Sequence, residues 1–159
     1  MGDDRNEEHV WKLMDDISPC MLATQDGDLI RARPMAAMPD REAGAIYFLT
    51  DVKGHKDEDI ARHPEVCLSF AEPGDNHYLS VTGRAEISAD RDKIEQLWSA
   101  AADAWWDGPQ DPSVRVLKVT PVDAQYWDAP GTIVSTIKMA AAAMSGTRPD
   151  MGEQQKVKM

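Results

Sequence analysis

At 159 residues the chain fits one domain with a genuine core, and its 42% apolar and 28% charged residues are ordinary for a globular protein. A net charge of −11 argues against nucleic acid as a partner, because phosphate backbones would be repelled. The longest apolar run, 139–144, is far too short to span a bilayer, and the acidic start Met1-Gly2-Asp3-Asp4 lacks the marks of a signal peptide or lipid anchor, so a cytoplasmic location without membrane contact is expected.

Val10, Leu13, Met14 and Ile17 recur at helical spacing and predict an amphipathic helix over 7–16, with Pro19 marking its end. A strand at 21–24 follows, and Gln25-Asp26-Gly27-Asp28 carries the Asp-Gly signal of a hairpin turn. The return strand is expected over 29–38. A turn-rich loop at 39–44 leads into 45–50, a nearly continuous apolar run that suits a central strand covered on both sides. A short helix over about 55–62 is stopped by His63-Pro64.

Alternation at Val66, Leu68 and Phe70 predicts a further strand, and Pro73-Gly74-Asp75-Asn76 turns the chain into the clearest strand of all. There Leu79, Val81, Gly83, Ala85 and Ile87 line one face, with Tyr78, Ser80, Thr82, Arg84 and Glu86 on the other. Gly83 in its middle predicts a bulge or a close backbone approach. Asp90 can cap a second amphipathic helix carrying Ile94, Leu97, Trp98 and Ala101. After a loop at 107–112, strand character resumes at 114–119, Pro121 interrupts, and 124–128 forms an edge-like segment. The alanine-rich stretch 136–144 suits a helix, and the polar chain beyond Ser145 suits a loose tail. Six or seven hairpin-connected strands with two or three helices give a mainly β, α+β domain: a small barrel, not a doubly wound sheet.

Charge is unevenly placed. Residues 29–56 hold five Lys or Arg and three Asp or Glu, a net of +2, which leaves −13 for the rest. Arg31 and Arg33 share one face of their strand, and Pro34 implies an edge or a break beside them. Thr50 ends a strand, Asp51 begins the loop beyond it, and His55 and Lys56 open the next helix, where free N–H groups attract anions. Lys56 opposes the dipole of its own helix, which a nearby phosphate would explain. The arginines answer equally to neighbouring surface carboxylates, and Lys56 to a charged surface helix. No glycine-rich nucleotide fingerprint occurs.

Cys20 and Cys67 sit in apolar strand-like runs and read as buried thiols without a C-x-x-C partner. The four histidines have no metal-ligand spacing, so no metal site is expected, and no serine has a nucleophile-elbow context. Trp11 and Trp98 read as core. Trp105, Trp106 and Trp127 suit either a flat heterocycle or an interface.

Together, Leu29-Ile30-Arg31-Ala32-Arg33-Pro34-Met35, Ile46-Tyr47-Phe48-Leu49-Thr50-Asp51, Lys56 and His63-Pro64-Glu65-Val66-Cys67-Leu68-Ser69-Phe70 resemble the pyridoxamine 5'-phosphate oxidase-like flavin-binding split barrels. Val81-Thr82-Gly83-Arg84-Ala85, Asp90-Arg91 and the ending Tyr126-Trp127-Asp128 are similar to the general stress protein branch. The resemblance covers about residues 7–145. It implies a six-stranded antiparallel split β-barrel over 1–145, with 146–159 a flexible polar tail, forming a homodimer that binds FMN near the dimer interface. FAD or a deazaflavin are the other cofactors the family resemblance admits.

By the same resemblance Arg33, Pro34 and Met35 would contact the flavin or its ribityl phosphate. Thr50 and Asp51 would approach the ring and chain, His55 and Lys56 the phosphate, and Trp127 would be lent by the other subunit. His55 departs from the arginine of the true oxidases, which makes phosphate binding weaker or pH-dependent. The true oxidases also end in an Arg-x-His motif, whereas the chain after Trp127 holds Arg148 and no histidine. Vitamin B6 oxidation is therefore not expected, and no catalytic residue is assigned. The resemblance implies a flavin-dependent oxidoreductase, using a nicotinamide donor or a deazaflavin, or else a flavin-storing or sensing stress protein.

Overall fold

The computed structural model describes residues 2–54, 56–128 and 153–159. The helix expected over 136–144, as well as His55 and Arg148, lie outside the described residues. Among those described, helix α1 (Gly2–Asp16) precedes strands β1 (Cys20–Asp26), β2 (Leu29–Met35), β3 (Met38–Asp40) and β4 (Ala45–Asp51). A 3-10 turn (Val52–Gly54) enters α2 (Lys56–Arg62), followed by β5 (Glu65–Glu72), β6 (His77–Ser88), α3 (Arg91–Leu97), β7 (Val114–Asp128) and β8 (Glu153–Lys158).

All eight strands belong to one antiparallel sheet in the order β2-β1-β5-β6-β7-β4-β3, with β8 also paired to β7. The outermost strands β2 and β3 are consecutive in the chain, joined only by Ala36 and Ala37. The sheet's two ends are thus linked through the chain without ladder hydrogen bonds, which is an open, split barrel. Eight strands are found among the described residues, where six or seven were expected.

Three differences follow from pairing that local pattern does not reveal. The single return strand expected over 29–38 divides, because β2 pairs with β1 while Met38, Pro39 and Asp40 pair with β4. The stretch 114–128 is one strand and not two: β6 runs beside all of it, β4 takes the first half and β8 the second. The segment 124–128 is therefore interior to the sheet, not an edge. Finally, 153–158 is a strand with Val157 in the core, so these six residues are not a loose tail.

The expectation at Gly83 holds, and it explains how Pro121 is tolerated. The register between β6 and β7 shifts at Thr82 and Gly83, with Gly83 opposite Pro121. A Cβ on Gly83 would stand 2.6 Å from Val119 Cγ1 and 2.9 Å from the Thr120 carbonyl oxygen. Glycine permits the bulge that lets a proline sit in a central strand. The Asp-Gly turn also forms, with Gly27 at φ +61° between β1 and β2.

The main core lies between the inner face of the sheet and helices α1 and α2. Val10, Trp11, Leu13, Met14 and Ile17 of α1 and Ile60 of α2 pack there against Leu22, Phe48, Leu68, Phe70, Val81 and Leu117. A smaller cluster of Ala45, Tyr47, Ile94, Val114 and Val116 sits under α3, where Lys93 Nζ lies 4.1 Å from the Tyr47 ring centroid. Asp90 caps α3 as expected, accepting the Lys93 N–H at 3.2 Å. The helix ends earlier than its apolar spacing suggested, since Trp98 turns to extended backbone and packs from outside the helix.

Gly83→Ala should lower stability by about 1–3 kcal/mol through overpacking, read as a lower urea midpoint. Gly74→Ala, whose Cβ would meet only the far end of Glu72 at 3.3 Å, should change the midpoint far less. Equal midpoints would show that the close approach at Gly83 is not a constraint.

Candidate functional site

Antiparallel register decides where the arginine pair points. Arg33 lies opposite Leu22 and Arg31 opposite Thr24, and directly opposed residues share a face. Leu22 and Thr24 are buried, so both arginines stand on the inner side of the sheet. They do not converge. Arg31 is exposed and its Nε meets Asp26 Oδ2 at 2.7 Å, the surface pairing that the sequence left open.

Arg33 instead reaches inward. Its Nη1 donates to Thr24 Oγ1 at 2.6 Å and to the Leu22 carbonyl at 3.4 Å. Burial pushes its pKa down, while Asp59 on α2 and Asp26 work in the opposite direction. Arginine titrates so high that the group keeps its charge. The charge of Asp59 acts on Arg33 from α2, which packs on β1, the strand next to the arginine strand. Thr24, which fixes the guanidinium, was missed; its place two residues after Leu22 on an inward-facing strand was the available signal.

Thr50 is buried and faces inward with Ile46 and Phe48. Asp51 Oδ1 accepts the Lys53 N–H at 2.9 Å, an Asx turn that starts the 3-10 segment leading to Lys56. Lys56 is the first residue of α2, and Asp57, Glu58 and Asp59 follow it in the first turn, where carboxylates favour the helix dipole. Met35 packs partly buried against the main core.

Pro34 and Trp127 lie on the other side. Pro34 is exposed opposite Met21. Trp127 follows the inward, buried Tyr126 and points outward with 37% of its surface exposed. Its neighbour across the ladder is Tyr78, 39% exposed. Met21 and Ile30 add further exposed apolar surface to the outer face of the sheet. Tyr78 was also missed as a site candidate, although its alternation placed it on the outer face.

The sequence profile described as pyridoxamine 5'-phosphate oxidase like matches residues 5–150. The chain belongs to that family. A structure assigned to general stress protein 26 of Jannaschia sp. CCS1 is 30% identical, with 99% of each chain covered and a TM-score of 0.78. General stress protein 26 of Bacillus subtilis (strain 168) is 30% identical over 91 residues, which are 53% of this chain and 62% of that protein. The alignment thus spans less than two thirds of that curated relative. The general stress FMN/FAD binding protein of Xanthomonas citri is 25% identical, with 78% and 89% of the two chains covered and a TM-score of 0.68. Within the pyridoxamine 5'-phosphate oxidase-like family the chain lies in the general stress protein 26 branch.

For this family member the surroundings of Trp127 are fixed by its neighbour Asp128. Asp128 Oδ1 stands 2.8 Å from His77 Nε2, and its Oδ2 stands 3.1 Å from His9 Nε2 on α1. The His9 contact is one of proximity, since its buried Nε2 makes no directed hydrogen bond. Tyr126 Oη donates to Asn6 Oδ1 at 3.1 Å, so α1 is tied to the end of β7 that carries Trp127. Among the described residues no group of His, Cys, Asp or Glu is placed to hold a metal ion. No described helix is long and apolar enough to cross a membrane.

Of the remaining tryptophans, Trp11 is core, Trp98 and Trp106 pack with ring centroids 6.1 Å apart, and Trp105 is 79% exposed. Cys20 is buried, whereas Cys67 is half-buried with its Sγ 3.4 Å from Ser80 Oγ; both are free. Burial pushes the Cys20 thiol up to about 11. A raised thiol pKa stabilises the fold below the unfolded value, and that contribution is lost as pH rises toward the folded value. The stability advantage of wild type over Cys20→Ala should therefore shrink by about 2–3 kcal/mol between pH 8 and pH 11, measured by urea unfolding. An unchanged difference would mean the thiol titrates normally.

Proposed function

We propose that this protein binds FMN as a homodimer and is a flavin-dependent oxidoreductase acting on a small substrate. The observation that carries the reading is the inward-held Arg33, with α2, the helix that Lys56 opens, packed on the neighbouring strand β1. A guanidinium fixed by Thr24 Oγ1, with a lysine as the first residue of the next helix, suits a phosphate group. The FMN/FAD-binding relative in Xanthomonas citri supports a flavin over other phosphates.

The residues present fit such a group. Arg33 and Lys56 would hold the phosphate, Thr50 and Asp51 line the approach, and the outer-face Trp127 with Tyr78 offers flat apolar surface. Trp127 and Arg33 face opposite sides of the sheet, so a second copy, docked through the apolar outer face, would supply the aromatic wall. When bound, the flavin supplies the redox chemistry, with a nicotinamide donor as electron source. The protein's own part is to fix the phosphate, orient the ring and cover it from water.

The similarity to general stress protein 26 favours a second reading, a flavin-storing or sensing stress protein without turnover. Purified protein should release a yellow chromophore with the mass of FMN on denaturation, and Arg33→Gln with Lys56→Gln together should abolish its retention. Full retention by a folded double variant would overturn the site. NADH or NADPH oxidation by the yellow protein decides for the enzyme, and its absence for the store.

A further inference from the structure

Between α2 and the far end of β6 the fold leaves a cavity of about 410 Å³, within the size range of small-molecule sites. Its walls are apolar at Ile60, Pro64 and Ile87, and two charged side chains line it, Asp57 and Arg115, while Glu86 turns to the other face of β6. The flavin reading uses none of these. Arg115 is nevertheless the ladder partner of Thr50, and Asp57 follows Lys56, so the cavity borders the proposed phosphate seat.

Arg115 is held in place. Its Nη1 donates to the carbonyls of Pro112 at 2.7 Å and Val114 at 2.9 Å. Both bonds use one nitrogen, which leaves Nε and Nη2 without a partner among the described residues. A fixed guanidinium with an open edge suits a carboxylate. Asp57 presents the opposite need. Its Oδ1 is closed off from solvent and accepts no hydrogen bond, and a buried acceptor without a donor carries an uncompensated desolvation cost.

One carboxylate, Asp57, and one guanidinium, Arg115, line the same cavity, which disfavours a simple anion. We propose that the cavity binds a small zwitterion: its carboxylate on Arg115, its ammonium on Asp57 and an apolar side chain against Ile60 and Ile87. That is the chemistry of a free apolar amino acid. The proposal does not depend on the flavin reading, because the binding is measured on protein with and without flavin.

Calorimetric titration of the full chain tests it with three probes: leucine, isoamylamine, which lacks the carboxylate, and 4-methylpentanoate, which lacks the amine. Leucine should bind at least about tenfold more tightly than either, because each analogue leaves one charged group of the protein unpaired. Arg115→Gln should remove the advantage over isoamylamine, and Asp57→Asn the advantage over 4-methylpentanoate. Arg115→Lys, which keeps charge and loses the fork, should fall between wild type and Arg115→Gln. No saturable heat from leucine at millimolar concentration, or wild-type affinity in folded Arg115→Gln, overturns the proposal.

Discussion

Side chains alternate across a pleated strand, and that constraint governs everything this fold does with its candidate residues. It sends Arg33 inward to Thr24 because Leu22 and Thr24 already face the core. It sends Trp127 outward because Tyr126 is buried. One chain therefore offers its cation and its flat aromatic surface on opposite sides of a single sheet. A site that needs both has to be assembled from two copies. The apolar outer face, with Ile30 at 79% exposure on the edge strand, is where that assembly is proposed to occur.

The frame that enforces this alternation is β7. It holds β6 along its whole length, β4 on one half and β8 on the other. The bulge opposite Gly83 resets the register of β7 between its halves, so that Val119 and Ala124, five apart in the chain, both face the core on either side of Pro121. The Tyr126–Asn6 hydrogen bond and the Asp128–His77 pair join the end of the strand to α1 and β6.

Much of this was legible in the sequence. The alternation from Leu79 to Ile87, the glycine in its middle, the Asp-Gly turn and the Asp90 cap are short-range signals, and each forms as read. What escaped reading depends on partners distant in the chain. The division of β2 from β3 follows from β4 capturing Met38 to Asp40. The strand at Glu153–Lys158 exists because β7 has a free edge beyond β4, and no local composition announces it. The same holds for the site. Sequence spacing put Arg31 and Arg33 on one face, but only the register separates the arginine paired with Asp26 from the one held by Thr24. Tyr78 and Arg115 gain their interest from ladder neighbours, Trp127 and Thr50, far away in sequence.

The central claim is that the flavin site is shared between two copies of the chain. Mixing a chain carrying Arg33→Gln and Lys56→Gln with a chain carrying Trp127→Ala tests it directly, by counting flavin bound per dimer after subunit exchange. Each variant alone should retain little flavin, whereas the mixed dimer should regain one intact site of its two. No recovery in a mixed dimer of proven composition would contradict the account and place the whole site within one chain.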